Sequence, residues 1–189
     1  MVDRTSALAA HYRPGKTGIL DDDGNAGVIL EDVKNLVLHQ VAAWPESLSA
    51  VGDMVSKAAG CKTTPGPCRA ESGKSAATLR VEPLKWWIYE AEAPKLDAEL
   101  GATIDISHSR THIRITGPSA CEFLNRFLPI DLREDSFPVG SVASSVIHHV
   151  GITLWRSEKG YEMFIPRGFA ESLWQVFVES ATQFGLEIV

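Results

Sequence analysis

The clearest periodic pattern lies near the C-terminus, where Phe169, Leu173, Phe177, Ala181 and Phe184 recur at helical spacing. Gly185 follows them, so the pattern predicts a helix that stops before a closing strand over 186–189. Leu48, Val51, Val55 and Ala58 repeat in the same way behind Trp44-Pro45, where proline suits a first helical turn, and Gly60 ends that helix. Residues 111–116 instead alternate Ile113 and Ile115 with His112, Arg114 and Thr116, as a half-buried strand does. Val33, Leu36, Val37, Leu38 and Val41 form a strand-like run; 78–81 reads as a short strand and the aromatic-rich 85–90 as another. A short helical stretch is expected from Pro94 until Gly101 closes it. After Gly117-Pro118, Ser119 stands three residues before Glu122 in capping-box spacing, with Ala120, Phe123, Leu124 and Phe127 on one side of the helix it opens. Beyond Pro138-Val139-Gly140, residues 142–156 read as one long or bent strand, with His148 on the face of Val146, Val150, Ile152 and Leu154. Residues 161–166 read as its hairpin partner across 157–160.

Two strand-helix-strand passages, from Val33 and from Thr111, predict an α+β fold of two related halves, about 31–105 and 106–189, in a single domain over 31–189. Residues 1–30 stand apart. Gly15, Gly18, Gly24 and Gly27, Pro14 and the run Asp21-Asp22-Asp23 describe an N-terminal arm, flexible or partner-bound, with Leu8, Tyr12, Ile19 and Leu20 to bury. Residues 61–77, with Thr63-Thr64-Pro65-Gly66-Pro67 and Ser72-Gly73-Lys74-Ser75, read as a surface loop.

At 189 residues and 44% hydrophobic content, the chain can hide roughly 70% of its unfolded surface without metal or disulfide staples. The net charge of -6 is spread evenly, 14 acids against 11 bases in residues 1–100 and 10 against 7 in the remainder, so a nucleic-acid surface is not expected. Three cysteines, an odd number, and the absence of a signal-peptide pattern lead us to expect a reduced, cytoplasmic protein. No stretch approaches the 18 apolar residues of a membrane span.

Candidate chemistry is sparse. Gly15-Lys16-Thr17 and Gly73-Lys74-Ser75 lack the earlier glycine of a phosphate loop, since Ala10 and Cys68 occupy that position, and neither opens a convincing helix. A dinucleotide fingerprint is missing too. His108 and His112 would lie roughly 13 Å apart on a strand, too far for one ion. His148 and His149 point oppositely if extended, and Cys61 and Cys68 have no second pair to complete a zinc site. Cys121 falls on the apolar side of a helix. Residues 136–157 contain no acid, which leaves paired-carboxylate chemistry without material there. On a strand, one of Trp86 and Trp87 enters the core while the other faces solvent or a partner.

Several segments carry a family resemblance: the head 6–11 with Pro14-Gly15, Val41-Ala42-Ala43-Trp44-Pro45, Pro83-Leu84-Lys85-Trp86-Trp87, and Asp105-Ile106-Ser107-His108-Ser109-Arg110 through Gly117-Pro118. In order and number they resemble the gamma subunits of heterotetrameric sarcosine oxidases, over nearly the whole chain. The resemblance implies a non-catalytic subunit of an enzyme that demethylates sarcosine to glycine, passing the one-carbon unit to tetrahydrofolate and electrons through flavins to oxygen. It implies alpha, beta and delta subunits as partners, with FAD, FMN, NAD, tetrahydrofolate and zinc all held by those chains and no cofactor, metal or catalytic residue in this one. It also implies the fold of the folate-binding aminomethyltransferase of the glycine cleavage system. In those relatives a strand corresponding to about 147–154 carries an aspartate for the pterin; here His148, His149, Val150 and Gly151 stand instead. Two other readings remain open, a free-standing folate-binding one-carbon protein and the equivalent subunit of a related N-methyl amino-acid oxidase or dehydrogenase. Expected partner contacts, chosen by residue type, are Leu8, Tyr12, Trp86, Trp87, Arg110, His148, His149 and Arg167.

Overall fold

The structure is a computed structural model and describes residues 5–189. Strands β1 (Gly15–Thr17), β2 (Val28–Val33) and β3 (Leu38–Ala43) precede helix α1 (Leu48–Ala58). Four strands follow: β4 (Ala70–Ser72), β5 (Ala77–Glu82), β6 (Lys85–Tyr89) and β7 (Gly101–Asp105). The chain continues through β8 (Arg110–Thr116), α2 (Ala120–Asn125), β9 (Val142–Ile147), β10 (Val150–Ser157) and β11 (Gly160–Pro166), then α3 (Ala170–Ala181) and β12 (Leu186–Ile188). The mixed α and β content agrees with the expected α+β class.

Two compact units divide these elements. One comprises the described residues through Asn35 with Arg110–Val139 and Ser144–Val189; the other comprises Leu36–Ser109 with Gly140–Ala143. The contiguous halves expected at 31–105 and 106–189 are therefore not the packing units, because β2 pairs with β8 and β12 and so draws the N-terminal segment into the first unit.

The first unit is built on a seven-stranded sheet in the order β1-β12-β2-β8-β11-β10-β9, in which β12 and β2 run parallel. Leu30, Ile113, Ile115, Leu154 and Met163 line its buried interior. Phe123 of α2 meets Phe177 of α3 edge to face at 5.9 Å, joining the two helices through an aromatic contact. The described part of the expected arm packs on this unit. Leu8 is fully buried, and Tyr12 stacks on Trp174 at 5.5 Å and donates its hydroxyl to the Val189 carbonyl.

The second unit is a five-stranded antiparallel sheet, β4-β5-β6-β3-β7. Helix α1 sets Val51 and Val55 against Val41, Ala43, Trp86 and Ile88, which is the burial its helical spacing prescribes.

Four local expectations are corrected. The run from Val33 to Val41 breaks at Asn35, whose φ of 59° is left-handed and ends pairing, so two strands form from one pattern. Residues 94–100 form no helix, and Gly101 opens β7 rather than capping one; a Cβ at Gly101 would stand 2.0 Å from the Ala42 carbonyl oxygen. Ser119 makes no side-chain cap, and its N–H donates to the Gly27 carbonyl. The long strand over 142–156 is the β9–β10 hairpin, folded at His148 and His149 with φ of 46° and 71°. Left-handed backbone at both central residues is the geometry of a two-residue turn that glycine or asparagine usually fills.

Candidate functional site

The densest polar group lies on adjacent strands of the seven-stranded sheet. Antiparallel register places Glu31 of β2, Arg114 of β8 and Glu162 of β11 in one row. Arg114 sends its Nε to Glu162 Oε1 at 2.9 Å and its Nη1 to Glu31 Oε2 at 2.8 Å. Two residues along β8, His112 meets Glu162 Oε2 through Nε2 at 2.6 Å, and its ring stacks on Phe164 at 4.6 Å. Ser157 Oγ donates to Glu162 Oε1 at 2.8 Å.

Glu162 is almost fully buried, with a side chain 2% exposed. Burial pushes its pKa up, yet the hydrogen bonds and charge from His112 and the bonds from Arg114 and Ser157 outweigh it and bring the value to about 2. A carboxylate held there has no proton to give near neutral pH and is too weak a base to take one. Its oxygens are already engaged by three donors. The row is built to hold three strands together.

Tyr161 is removed from acid-base work in the opposite sense. Burial, with the Cys121 thiol beside it, pushes its pKa up to about 12, and its hydroxyl donates to the Leu132 carbonyl at 2.9 Å. Asp32 is buried, and its Oδ2 has no hydrogen-bond partner. Among the described residues no group of three or more His, Cys, Asp and Glu side chains is arranged to hold a metal ion.

The expected contact residues fall at separate places. Leu8, Trp86 and Trp87 are covered by this chain's own packing and have little surface left to offer. Both tryptophans are buried on β6, which lies between β5 and β3 inside its sheet. Trp86 lies in the α1 core, whereas Trp87 donates Nε1 to Gln40 Oε1 at 3.2 Å. Tyr12, Arg110 and Arg167 are half-buried, and the Arg167 guanidinium is engaged by the Thr5 carbonyl at 2.6 Å. Only His148 and His149 are exposed, at the hairpin tip, where the His148 ring lies 6.4 Å from Phe127. Gly15-Lys16-Thr17 is strand β1, and its lysine donates to the Gly24 carbonyl at 2.9 Å, so it leads into no helix. The Glu162 network escaped sequence reasoning, although a signal existed: Glu162 is the one charged residue in the apolar run 161–166, and His112 and Arg114 share a face of their strand.

The GCVT N-terminal domain family matches residues 78–189. Curated relatives are the sarcosine oxidase subunit gamma of Corynebacterium sp. (strain P-1), 26% identical over 64% of this chain and 64% of that protein, and that of an Arthrobacter species, 28% identical over 47% of this chain and 44% of that protein. The matched segments thus span less than two thirds of these relatives' length. Among solved structures, a chain of the heterotetrameric sarcosine oxidase from Corynebacterium sp. U-96 in complex with pyrrole 2-carboxylate superposes with a TM-score of 0.75, at 21% identity and 96% coverage of each chain. The glycine cleavage system aminomethyltransferase T from Bartonella henselae follows with a TM-score of 0.62 at 16% identity, covering 98% of this chain and 59% of that one. These structural likenesses show the fold.

Proposed function

The chain belongs to the family of GCVT N-terminal domains, and on that premise we propose that it is a non-catalytic, structural subunit of a heterotetrameric sarcosine oxidase. The observation that carries the reading is the saturation of Glu162. This buried carboxylate is locked by His112, Arg114 and Ser157 and is not itself poised for proton transfer near neutral pH. The matches to curated gamma subunits supply the enzyme's identity.

In this reading the complex demethylates sarcosine to glycine, and its FAD, FMN, NAD, tetrahydrofolate and zinc sit on alpha, beta and delta chains in the cytoplasm. The residues here do not fit a pterin. Where the folate-binding relatives place a carboxylate, this chain bends through the His148 and His149 turn and offers no acid over residues 136–157. No helix among the described residues is long and apolar enough to cross a membrane.

Co-expression of this chain with the alpha, beta and delta chains, tagged on one of them, tests the proposal. The expected result is a stable four-chain complex with sarcosine-dependent oxygen uptake, joined through an interface of more than about 1,000 Å². A monomer that stays out of the complex contradicts it.

A further inference from the structure

Edge strands of a sheet present unpaired backbone donors and acceptors, and folded proteins usually blunt them with lysine, proline, a bulge or a covering segment. Strand β7 is an edge of the five-stranded sheet and carries none of these protections along Gly101–Asp105. Its side chains from Ala102 through Asp105 are all exposed, Ile104 at 56%.

The register with β3 settles which backbone groups are free. Trp44 N–H donates to the Leu100 carbonyl, and Ile106 N–H to the Leu38 carbonyl. The pairs Ala42 with Ala102 and Gln40 with Ile104 lie between these in the same phase, so residues 100, 102, 104 and 106 turn their backbone toward β3. Thr103 and Asp105 therefore turn N–H and C=O outward. Gly101 sends its carbonyl outward while its N–H is held by the Asp97 carbonyl at 3.3 Å. A polypeptide partner matches such a row of donors and acceptors with its own backbone in extended conformation.

Charge selects among extended segments. Asp97 and Glu99 are exposed at the Gly101 end of the strand. At the other end, Asp105 is exposed and its carboxylate accepts the Ser107 N–H at 2.8 Å. There, Glu92 lies 3.5 Å from His39, the β3 partner of Asp105. Lys95 is the single lysine or arginine between Glu90 and Asp105. Trp44, 46% exposed, adjoins the Gly101 end and adds apolar surface there. We propose that the free edge of β7 is a docking site for an extended, lysine- or arginine-bearing segment of another polypeptide, which joins the five-stranded sheet as a sixth strand. The same acidic flanks oppose pairing between two copies of this edge.

The inference stands on the edge itself and not on the enzyme to which the chain belongs. The full chain, labelled for amide NMR, is titrated with a synthetic ten-residue peptide alternating lysine and valine, and separately with its glutamate-valine counterpart. Binding of the lysine peptide is expected to shift the amide signals of Thr103 and Asp105, slow their hydrogen exchange at least tenfold, and weaken as salt is raised. The glutamate peptide should bind at least tenfold more weakly. Thr103→Pro removes the outward donor while leaving the β3 pairing, and Ile104→Lys places a charge on an exposed position; each should weaken the lysine peptide at least tenfold. If Thr103→Pro disturbs folding, Ile104→Lys decides. No binding, equal binding of the two peptides, binding that leaves Thr103 unmoved, or a concentration-dependent dimer that protects Thr103 would each overturn the proposal. A chain that binds the lysine peptide yet stays outside the four-chain complex would sink the subunit reading and leave this one standing.

Discussion

Glu162→Gln keeps the side chain's shape and removes its charge, which leaves Arg114 and His112 facing a neutral group in a buried position. Breaking a buried ion pair from one side costs about 3–5 kcal/mol. An unfolding free energy lowered by that amount, read as a lower urea midpoint at unchanged slope, is therefore expected for the variant. The same carboxylate makes acid sensitivity predictable. Its folded pKa of about 2 lies below its ordinary value of 4.5, so its stabilisation is fully present above pH 4.5 and drains away as pH falls toward 2. Over that interval wild type should lose more stability than Glu162→Gln; parallel acid-unfolding curves would contradict the account. At this scale the sequence was least legible. Residue type identifies Glu162 as an odd charge in an apolar run, but only the antiparallel register brings it beside His112 and Arg114, fifty and forty-eight positions away.

Elements with a single strong period were readable, and those made by a turn without turn residues were not. Helices α1 and α3 follow their apolar spacing because each buries one face, and Gly185 leaves α3's final turn with φ of 71° as a glycine stop predicts. The β9–β10 hairpin was invisible because alternation of apolar residues runs straight through His148 and His149, neither of which signals a turn. The double variant His148→Asn with His149→Gly puts residues that tolerate left-handed backbone at both positions and should stabilise the chain by about 1 kcal/mol. A rise of about 2–4 °C in the unfolding midpoint would register it. The N-terminal segment behaves as an integrated element. Leu8 is fully buried, so Leu8→Ala should cost about 2–5 kcal/mol and make the segment an early target of limited proteolysis. A variant as stable and as resistant as wild type would mean that the segment is not anchored there.

On the scale of the molecule, the α+β class and the passages around each helix were legible in the pattern, whereas the division into units was not. Parallel pairing of β12 with β2 joins residues 186–188 to residues 28–30, a contact of long sequence separation that no local period encodes. The separation also explains why contact residues chosen by type scattered: Trp86 and Trp87 carry the chemistry of an interface, yet an interior strand of the second unit consumes both. What unites the scales is the proposal of a structural subunit whose buried Glu162 is spent on its own sheet. Calorimetric titration of the isolated, full-length chain with tetrahydrofolate tests this most directly. The account predicts no saturable heat, and saturable binding in the micromolar range would contradict it.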